Sequence, residues 1–404
     1  MSRILVISPI PSHPPNTGNR TRILHLLEQL QQHGHDIYFL YAARQQQADT
    51  DAMSQAWKGF YHMAYRRPKG CSYWIRQIAN MKKRIWPHSI RPWKIDDWYD
   101  PNIDQAVAEV QRTTHFDVVI AEYVFFSKAL KCFHDDALKI IDTHDVFTDR
   151  HRLYEQQGET PGFFYTTRRQ EQIGLQRADV ILAIQERERQ YFSQLVNKPV
   201  ITVGHPIRLH PPQSKGQKRG KRLLFVGSCN IPNIRSMEFF LRDVFPQLRQ
   251  RYADLCLEIV GNLYTGPYSQ LAKQLPKGCV YCGEIADLSG HYHRADVVIN
   301  PITLATGLSI KLVEALGYAK PVVTTTRGGQ GICHQGNGRP FRVADTPDEF
   351  IQAISGLLDA PEQRQELAQC AYEFATQYRQ RCLDPLLKLL ANPTPLLAEK
   401  GDLQ

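Results

Sequence analysis

The stretch Asn300–Ile332, NPITLATGLSIKLVEALGYAKPVVTTTRGGQGI, decides how this chain folds. It reads as a strand end, a glycine-bearing loop, an amphipathic helix, a second strand and a glycine-rich turn. Gly307 permits close backbone approach, and the amides of Leu308, Ser309 and Ile310 then open the helix. Such a helix start attracts anions, because its first N–H groups lack intrahelical acceptors and the dipole points the same way. Lys311 sets a cation in that first turn, against the dipole, which calls for a bound anion. Glu314, one turn further in, is placed to accept hydrogen bonds from hydroxyls. Phosphate beside polyol describes a nucleotide sugar. Each residue also has an ordinary reading, as a solvated lysine or a surface glutamate. Their spacing between two buried-type strands favours a ligand site.

Working outward, strands and helices alternate on both sides of this stretch, which argues for doubly wound parallel sheets. In the first half Ile4–Ser8, Asp36–Ala42, Asp117–Ala121, Lys139–Asp142, Asp179–Ala183 and Val200–Val203 read as strands, with a helix over Arg20–His33. A linker rich in proline, glycine and positive charge follows over residues 205–221. The pattern then restarts with Arg222–Val226 as strand, Ile234–Arg251 as one helix and Leu255–Val260 as strand. Val280–Cys282, Val297–Ile299 and Val322–Thr325 continue the second sheet, and Thr346–Leu390 is helical. The expected organisation is one Rossmann-like domain over residues 1–204 and a second over 222–380, with 381–404 packing back on the first. Ligands of such sheets bind at the carboxyl ends of the strands, in a cleft between domains.

At 404 residues the chain suits two domains. Its first apolar run, Ile4–Ile7, is too short for a signal peptide, and no stretch reaches the ~18–20 apolar residues of a membrane span. Nine cysteines without framework spacing agree with a reducing compartment, so the expectation is a cytoplasmic protein. Cys279-Val-Tyr-Cys282 has no second pair at ligand distance and reads as two cysteines in a buried strand. The net charge of +9 is concentrated. Arg66–Lys94 holds nine Lys or Arg, no Asp or Glu, and three of the five tryptophans. On a helical wheel Trp74, Ile78, Met81 and Ile85 share a face opposite Arg76 and Lys83. A basic amphipathic helix of this kind suits an anionic membrane surface, and equally an apolar face packed on its own domain. No nucleic-acid motif accompanies the charge, and no nucleic-acid partner is expected.

Three further segments carry chemistry. Between the first strand and first helix lies SPIPSHPPNTGNR (8–20), where Gly18 brings backbone amides to the helix start. Its prolines forbid the tight turn of a dinucleotide fingerprint, which argues against a nicotinamide or flavin enzyme. After the Lys139–Asp142 strand come Thr143, His144 and Asp145. A histidine beside an acid at a strand's carboxyl end can exchange protons with a hydroxyl. His144, Asp145 and His151 also tempt a metal reading, but their spacing matches no strong ligand pattern, so no metal and no cofactor are expected. Glu122 sits at a similar strand edge, and it and Asp145 are candidates for acceptor contact. In the second half Gly227 directly follows a strand, Ser228 and Asn233 offer hydrogen bonds, and Asn233 reads equally as a helix N-cap.

The order strand–Gly227–Asn233–helix, then Gly283 to Asp287, Ala295 to Val297 and Gly307 to Gly331 resembles the donor half of glycosyltransferase family 4. Gly18 with Arg22, Gly34-His35 and the Thr143–Asp145 turn resemble its first half more loosely, so the likeness covers nearly the whole chain. It implies a GT-B architecture, two Rossmann-like α/β domains facing a cleft, with 1–204 as the acceptor-binding and 222–380 as the donor domain, and retaining transfer from a nucleotide sugar to a hydroxyl acceptor. A saccharide or lipid-linked saccharide of cell-envelope polysaccharide assembly fits the basic Arg66–Lys94 segment. It further implies that Glu314 binds the ribose, that the amides of Leu308, Ser309 and Ile310 bind the diphosphate with Lys311, and that His144 stands near the reacting sugar. Two departures stand out. Thr306 occupies the position of an expected acid, and the loop after Gly227 lacks the usual Arg and Lys, for which Lys311 and Arg235 are the candidate substitutes. A nucleotide-sugar epimerase of the same fold and a non-catalytic partner subunit are the alternative readings. The membrane reading has a direct measurement: Trp74→Glu with Ile78→Glu should abolish co-sedimentation with anionic vesicles, and undiminished binding would refute it.

Overall fold

The computed structural model describes residues 1–44, 47–66, 91–134, 136–156, 158–159, 161–212, 221–304, 307–332 and 339–392. The amphipathic segment around Trp74 and Ile78, and Thr306, lie outside the described residues. The chain divides into two compact units. One comprises Met1–Pro14, Leu26–Gly204 and Asp384–Gln404, the other Pro15–His25 and His205–Leu383.

The first unit is built on a seven-stranded, wholly parallel sheet. Its strands are β1 (Arg3–Ser8), β2 (Asp36–Ala43), β3 (Gly59–Ala64), β4 (Val118–Glu122), β5 (Leu138–Asp142), β6 (Val180–Ala183) and β7 (Val200–Thr202). The spatial order is β3-β2-β1-β4-β5-β6-β7, so strand order reverses between β1 and β4. Ile4 to Ile7 are all fully buried, as continuous apolar runs must be in a parallel sheet covered on both faces. β3 is the strand that the apolar pattern does not announce. It is an edge strand with half-buried and exposed residues, so nothing selects for an apolar run. The last helix, Asp384–Ala391, buries Leu386 and Leu390 and packs beside β7.

The second unit holds a six-stranded parallel sheet of order β10-β9-β8-β11-β12-β13. Its strands are β8 (Arg222–Val226), β9 (Cys256–Val260), β10 (Cys279–Gly283), β11 (Val297–Asn300), β12 (Val322–Thr324) and β13 (Arg342–Val343). Here the order reverses between β8 and β11. The core joins Leu223, Phe225, Leu257, Ile259 and Ile299 to Phe240, Phe245 and Phe350 of the covering helices. Two expectations need correction. The single helix over Ile234–Arg251 is two α-helices, Ile231–Phe239 and Phe245–Arg251, joined by a π turn at Phe240–Val244. Pro246 has no N–H to continue an α ladder and its ring crowds the preceding turn, so the backbone widens there. Cys279 and Cys282 do lie in a strand, but β10 is the sheet edge: both are half-buried and Val280 between them is 49% exposed.

The carboxyl ends of β8, β9 and β10 are tied by glycine backbone. The Gly227 N–H donates to Val260 O (2.9 Å) and the Gly261 N–H to Gly283 O (2.7 Å). Gly261 has φ +109°, and a Cβ there would lie 2.3 Å from the Gly227 carbonyl oxygen. Both the left-handed backbone and the close approach exclude a side chain. Gly261→Ala should therefore cost more than about 2 kcal/mol, read as a lower melting temperature in calorimetry.

Candidate functional site

In the second unit, helix α1 of the site, Ile310–Gly317, begins just past the end of β11 with Ser309 as its N-cap. Ser309 makes no side-chain cap bond, and its carbonyl takes the amides of Leu312 (3.0 Å) and Val313 (3.2 Å). The amides that lack intrahelical acceptors are therefore those around Ser309, Ile310 and Lys311, one residue later than the sequence suggests. Leu308 is buried in the turn that follows Gly307. Gly18 lies against this helix start, since a Cβ on it would be 3.2 Å from Ile310 Cγ1. Gly18 is itself the first residue of a helix, Gly18–Gln32, so two helix N-termini meet there.

Lys311 is fixed by a chain of bonds from β8. Its Nζ donates to Asn233 Oδ1 at 2.5 Å, and Asn233 Nδ2 donates to the Ser228 carbonyl at 2.9 Å. Nζ also stands 4.5 Å over the Phe225 ring. Asn233 is thus a bridge and not the N-cap. The cap is Asn230, whose side chain accepts the Asn233 N–H at 2.9 Å. Arg235 pairs with Glu238 at 2.7 Å on the exposed side of that helix, which leaves Lys311 as the cation drawn to the β8 loop.

Lys311 and Glu314 are both half-buried, and neither has an ion-pair partner among the described residues. Desolvation pushes the Lys311 ammonium down to about 7 and the Glu314 carboxyl up to about 7. A cation that lacks an anion and an acid that lacks donors, one helical turn apart, are suited to a ligand carrying phosphate and hydroxyls. Behind them Tyr292 and Tyr318 stack at 4.3 Å.

Asn300, the first residue of the deciding stretch, has a role that its sequence context does not show. Its Nδ2 reaches Thr324 Oγ1 (2.9 Å), Gly328 O (3.2 Å) and Ser309 Oγ (3.3 Å), which ties the helix start to the glycine-rich turn. The available signal is an amide side chain at a strand end, where the sheet presents its ligands.

In the first unit, His144 follows β5 and Glu122 is the last residue of β4. The two are brought together: His144 Nε2 lies 2.5 Å from Glu122 Oε2, with Glu122 fully buried. Tyr123 stacks on the imidazole, ring centroids 4.1 Å apart. Both His144 (φ +60°) and Tyr123 (φ +71°) occupy the left-handed region, which costs about 1–3 kcal/mol each for such residues and concentrates at functional sites. Asp145 forms an ion pair with Arg150 (2.7 Å), and His151 packs against Tyr165, so neither joins His144. The acids that approach His144 are Glu122 and Asp142, with donor atoms within 4.8 Å of one another. A second such group, Glu258, Cys282 and His291, is held by cations, because Arg222 (2.9 Å) and Arg294 (3.5 Å) both contact Glu258.

Residues 220–360 match the family described as Glycosyl transferases group 1. A curated relative, described as an uncharacterized 44.6 kDa protein in cps region of Klebsiella pneumoniae, is 23% identical over 93% of this chain and 95% of its own length. The fold matches solved structures over nearly the whole chain. Sucrose-phosphate synthase from Thermosynechococcus elongatus superposes with a TM-score of 0.68 at 15% identity, covering 100% of this chain and 98% of that one. Anabaena HepE in complex with UDP and glucose gives 0.65 at 14% identity, covering 96% and 99%. S. aureus TarM in complex with fondaparinux, alpha-GlcNAc-glycerol and UDP gives 0.67 at 10% identity, covering 97% and 100%. The two parallel-sheet units are those of the GT-B fold. No described helix is long and apolar enough to cross a membrane.

The shifted pair makes opposite stability signatures. Lys311 is held at about 7 against an ordinary 10.5, so its cost is full below about pH 7 and fades as pH rises toward 10.5. Glu314 is held at about 7 against 4.5, so its cost is full above about pH 7 and fades as pH falls toward 4.5. In ligand-free protein, Lys311→Met should raise the melting temperature by about 2–4 °C at low pH and Glu314→Gln by a similar amount at high pH. Melting curves between pH 5 and 9 check this, and two pH-independent gains would overturn it.

Proposed function

We propose that this chain is a retaining glycosyltransferase that takes a sugar from a uridine diphosphate sugar and attaches it to a hydroxyl of a saccharide acceptor in surface polysaccharide assembly. The single observation that carries the reading is the unpaired Lys311 and Glu314 at a helix start abutting Gly18. The group 1 match over residues 220–360 and the UDP complexes of proteins with the same fold support the donor class. The cps-region relative supports the polysaccharide setting.

In this reading the diphosphate lies on the amides of Ser309, Ile310 and Lys311, with Gly227, Ser228 and Gly307 providing backbone approach. Glu314 accepts the ribose hydroxyls. As the bond from the anomeric carbon to the phosphate breaks, negative charge grows on the phosphate oxygens, and donors already aimed there lower the barrier. A helix terminus supplies up to ~2 kcal/mol in partly buried geometry, near tenfold in rate, so the Lys311 charge must supply a larger share. The acceptor oxygen bonds to the anomeric carbon on the face that the phosphate leaves, and its proton passes to a phosphate oxygen. His144 assists at the reacting sugar. Attachment to an anionic membrane surface through the Arg66–Lys94 segment would bring the enzyme to lipid-linked acceptors at the inner face.

A thermal-shift screen against UDP, GDP, ADP, CMP and dTDP tests the donor assignment, with stabilisation expected from UDP alone. Lys311→Ala and Glu314→Ala should each lose about tenfold or more in UDP affinity, as the loss of a charge-assisted hydrogen bond implies. His144→Ala should keep UDP affinity and lose turnover. Unchanged affinity in both of the first two variants would remove the site. Conversion of the donor into an isomeric nucleotide sugar without acceptor would make the protein an epimerase.

A further inference from the structure

β4 ends in the dipeptide Glu122-Tyr123, and both members grip the same imidazole from different sides. The Glu122 carboxylate meets His144 Nε2 at 2.5 Å, and the Tyr123 ring lies over the imidazole with 12° between the planes. Glu122 is fully buried and Tyr123 is 3% exposed, so neither is placed to meet a substrate by itself. Nε2 faces a carboxylate oxygen, so Nε2 is the ring nitrogen that donates. An ionised carboxylate only accepts, which fixes that tautomer. Nδ1 is then the one ring atom left for exchange, and it has no hydrogen-bond partner among the described residues. Asp142, opposite Glu122 in the β4–β5 register, adds a second carboxylate within 4.8 Å.

We infer that Glu122 and Tyr123 are positioning residues that hold His144 as a single Nε2–H tautomer in a left-handed backbone, presenting Nδ1 as its working atom. The inference rests on the glycosyl-transfer reading only in assigning His144 to the reacting sugar. The hold itself is a property of the free protein. It also explains why two adjacent strand ends accept left-handed aromatic residues: the carboxylate bond and the stacked rings over-determine the geometry. Sequence reading places Glu122 as a possible acceptor contact, whereas this arrangement has it act through His144.

The experiment joins a spectroscopic and a kinetic readout on the full chain. With 15N-labelled histidine, the His144 ring signals are identified by their loss in His144→Ala. Wild type should show protonated Nε2 and unprotonated Nδ1 near pH 7.5, and Glu122→Gln should convert them to a tautomer mixture. With UDP-glucose, release of UDP should fall by about 10–100-fold in kcat in Glu122→Gln, with KM within about twofold. In the His144→Ala background the same substitution should change kcat by less than about twofold, because its effect passes through the ring. Should Glu122→Gln fail to fold, Glu122→Asp, one methylene shorter, serves in the same cycle. An unchanged tautomer in the variant, or an equal loss in the His144→Ala background, overturns the inference. A wild-type protein inert toward UDP-glucose but carrying the fixed tautomer would count against the assigned reaction and leave the hold on His144 standing.

Discussion

A lysine ammonium drawn under the cover of its own helix without a counter-ion is the constraint around which the second unit is arranged. Lys311 has one oxygen partner, the Asn233 amide, and one ring, Phe225. Neither cancels the charge, and desolvation brings the group down to about 7. The neighbouring residues are tied to it in turn. Ser228 turns its carbonyl to Asn233, Asn230 takes over the capping of the helix that carries Asn233, and Gly18 packs closely on the Ile310 side chain. The unfavourable free state is the counterpart of a favourable bound one. A free protein poised this way gains most from a ligand whose charge arrives already formed.

The first unit stores its tension differently, in backbone dihedrals and not in charge. Tyr123 and His144 hold a conformation that aromatic side chains rarely adopt, and each is secured by the other's ring and by Glu122. Precise placement of one imidazole is thereby obtained from two strand ends, without a loop that must order itself on binding.

Most of the fold was legible because parallel strands buried on both faces announce themselves as apolar runs, as in Ile4–Ile7 and Val297–Ile299. What escaped were edges: β3 and the two-residue β13 carry no such run. The helix break at Phe240–Val244 escaped because a π turn leaves the apolar periodicity almost intact while Pro246 alone marks it. At the candidate site, local chemistry places Gly18, Lys311 and Glu314 at or near a helix start and Gly227 at a strand end, and the structure has them there. The roles of Asn300, Asn230 and Glu122 were not, because each depends on a partner that is distant in sequence or on which of two neighbouring asparagines reaches the amide.

The path of the chain carries a consequence for its birth. The first unit includes Asp384–Gln404, whose helix packs beside β7, while Pro15–His25 belongs to the second. Neither unit is therefore one uninterrupted length of polypeptide. During synthesis the seven-stranded sheet can assemble before the helix Asp384–Ala391 has been made, and the flank of β7 that this helix packs on stays uncovered until then. A chain cut before residue 384 would carry that bare flank of β7 permanently, with the apolar surface that Leu386 and Leu390 cover left open to water.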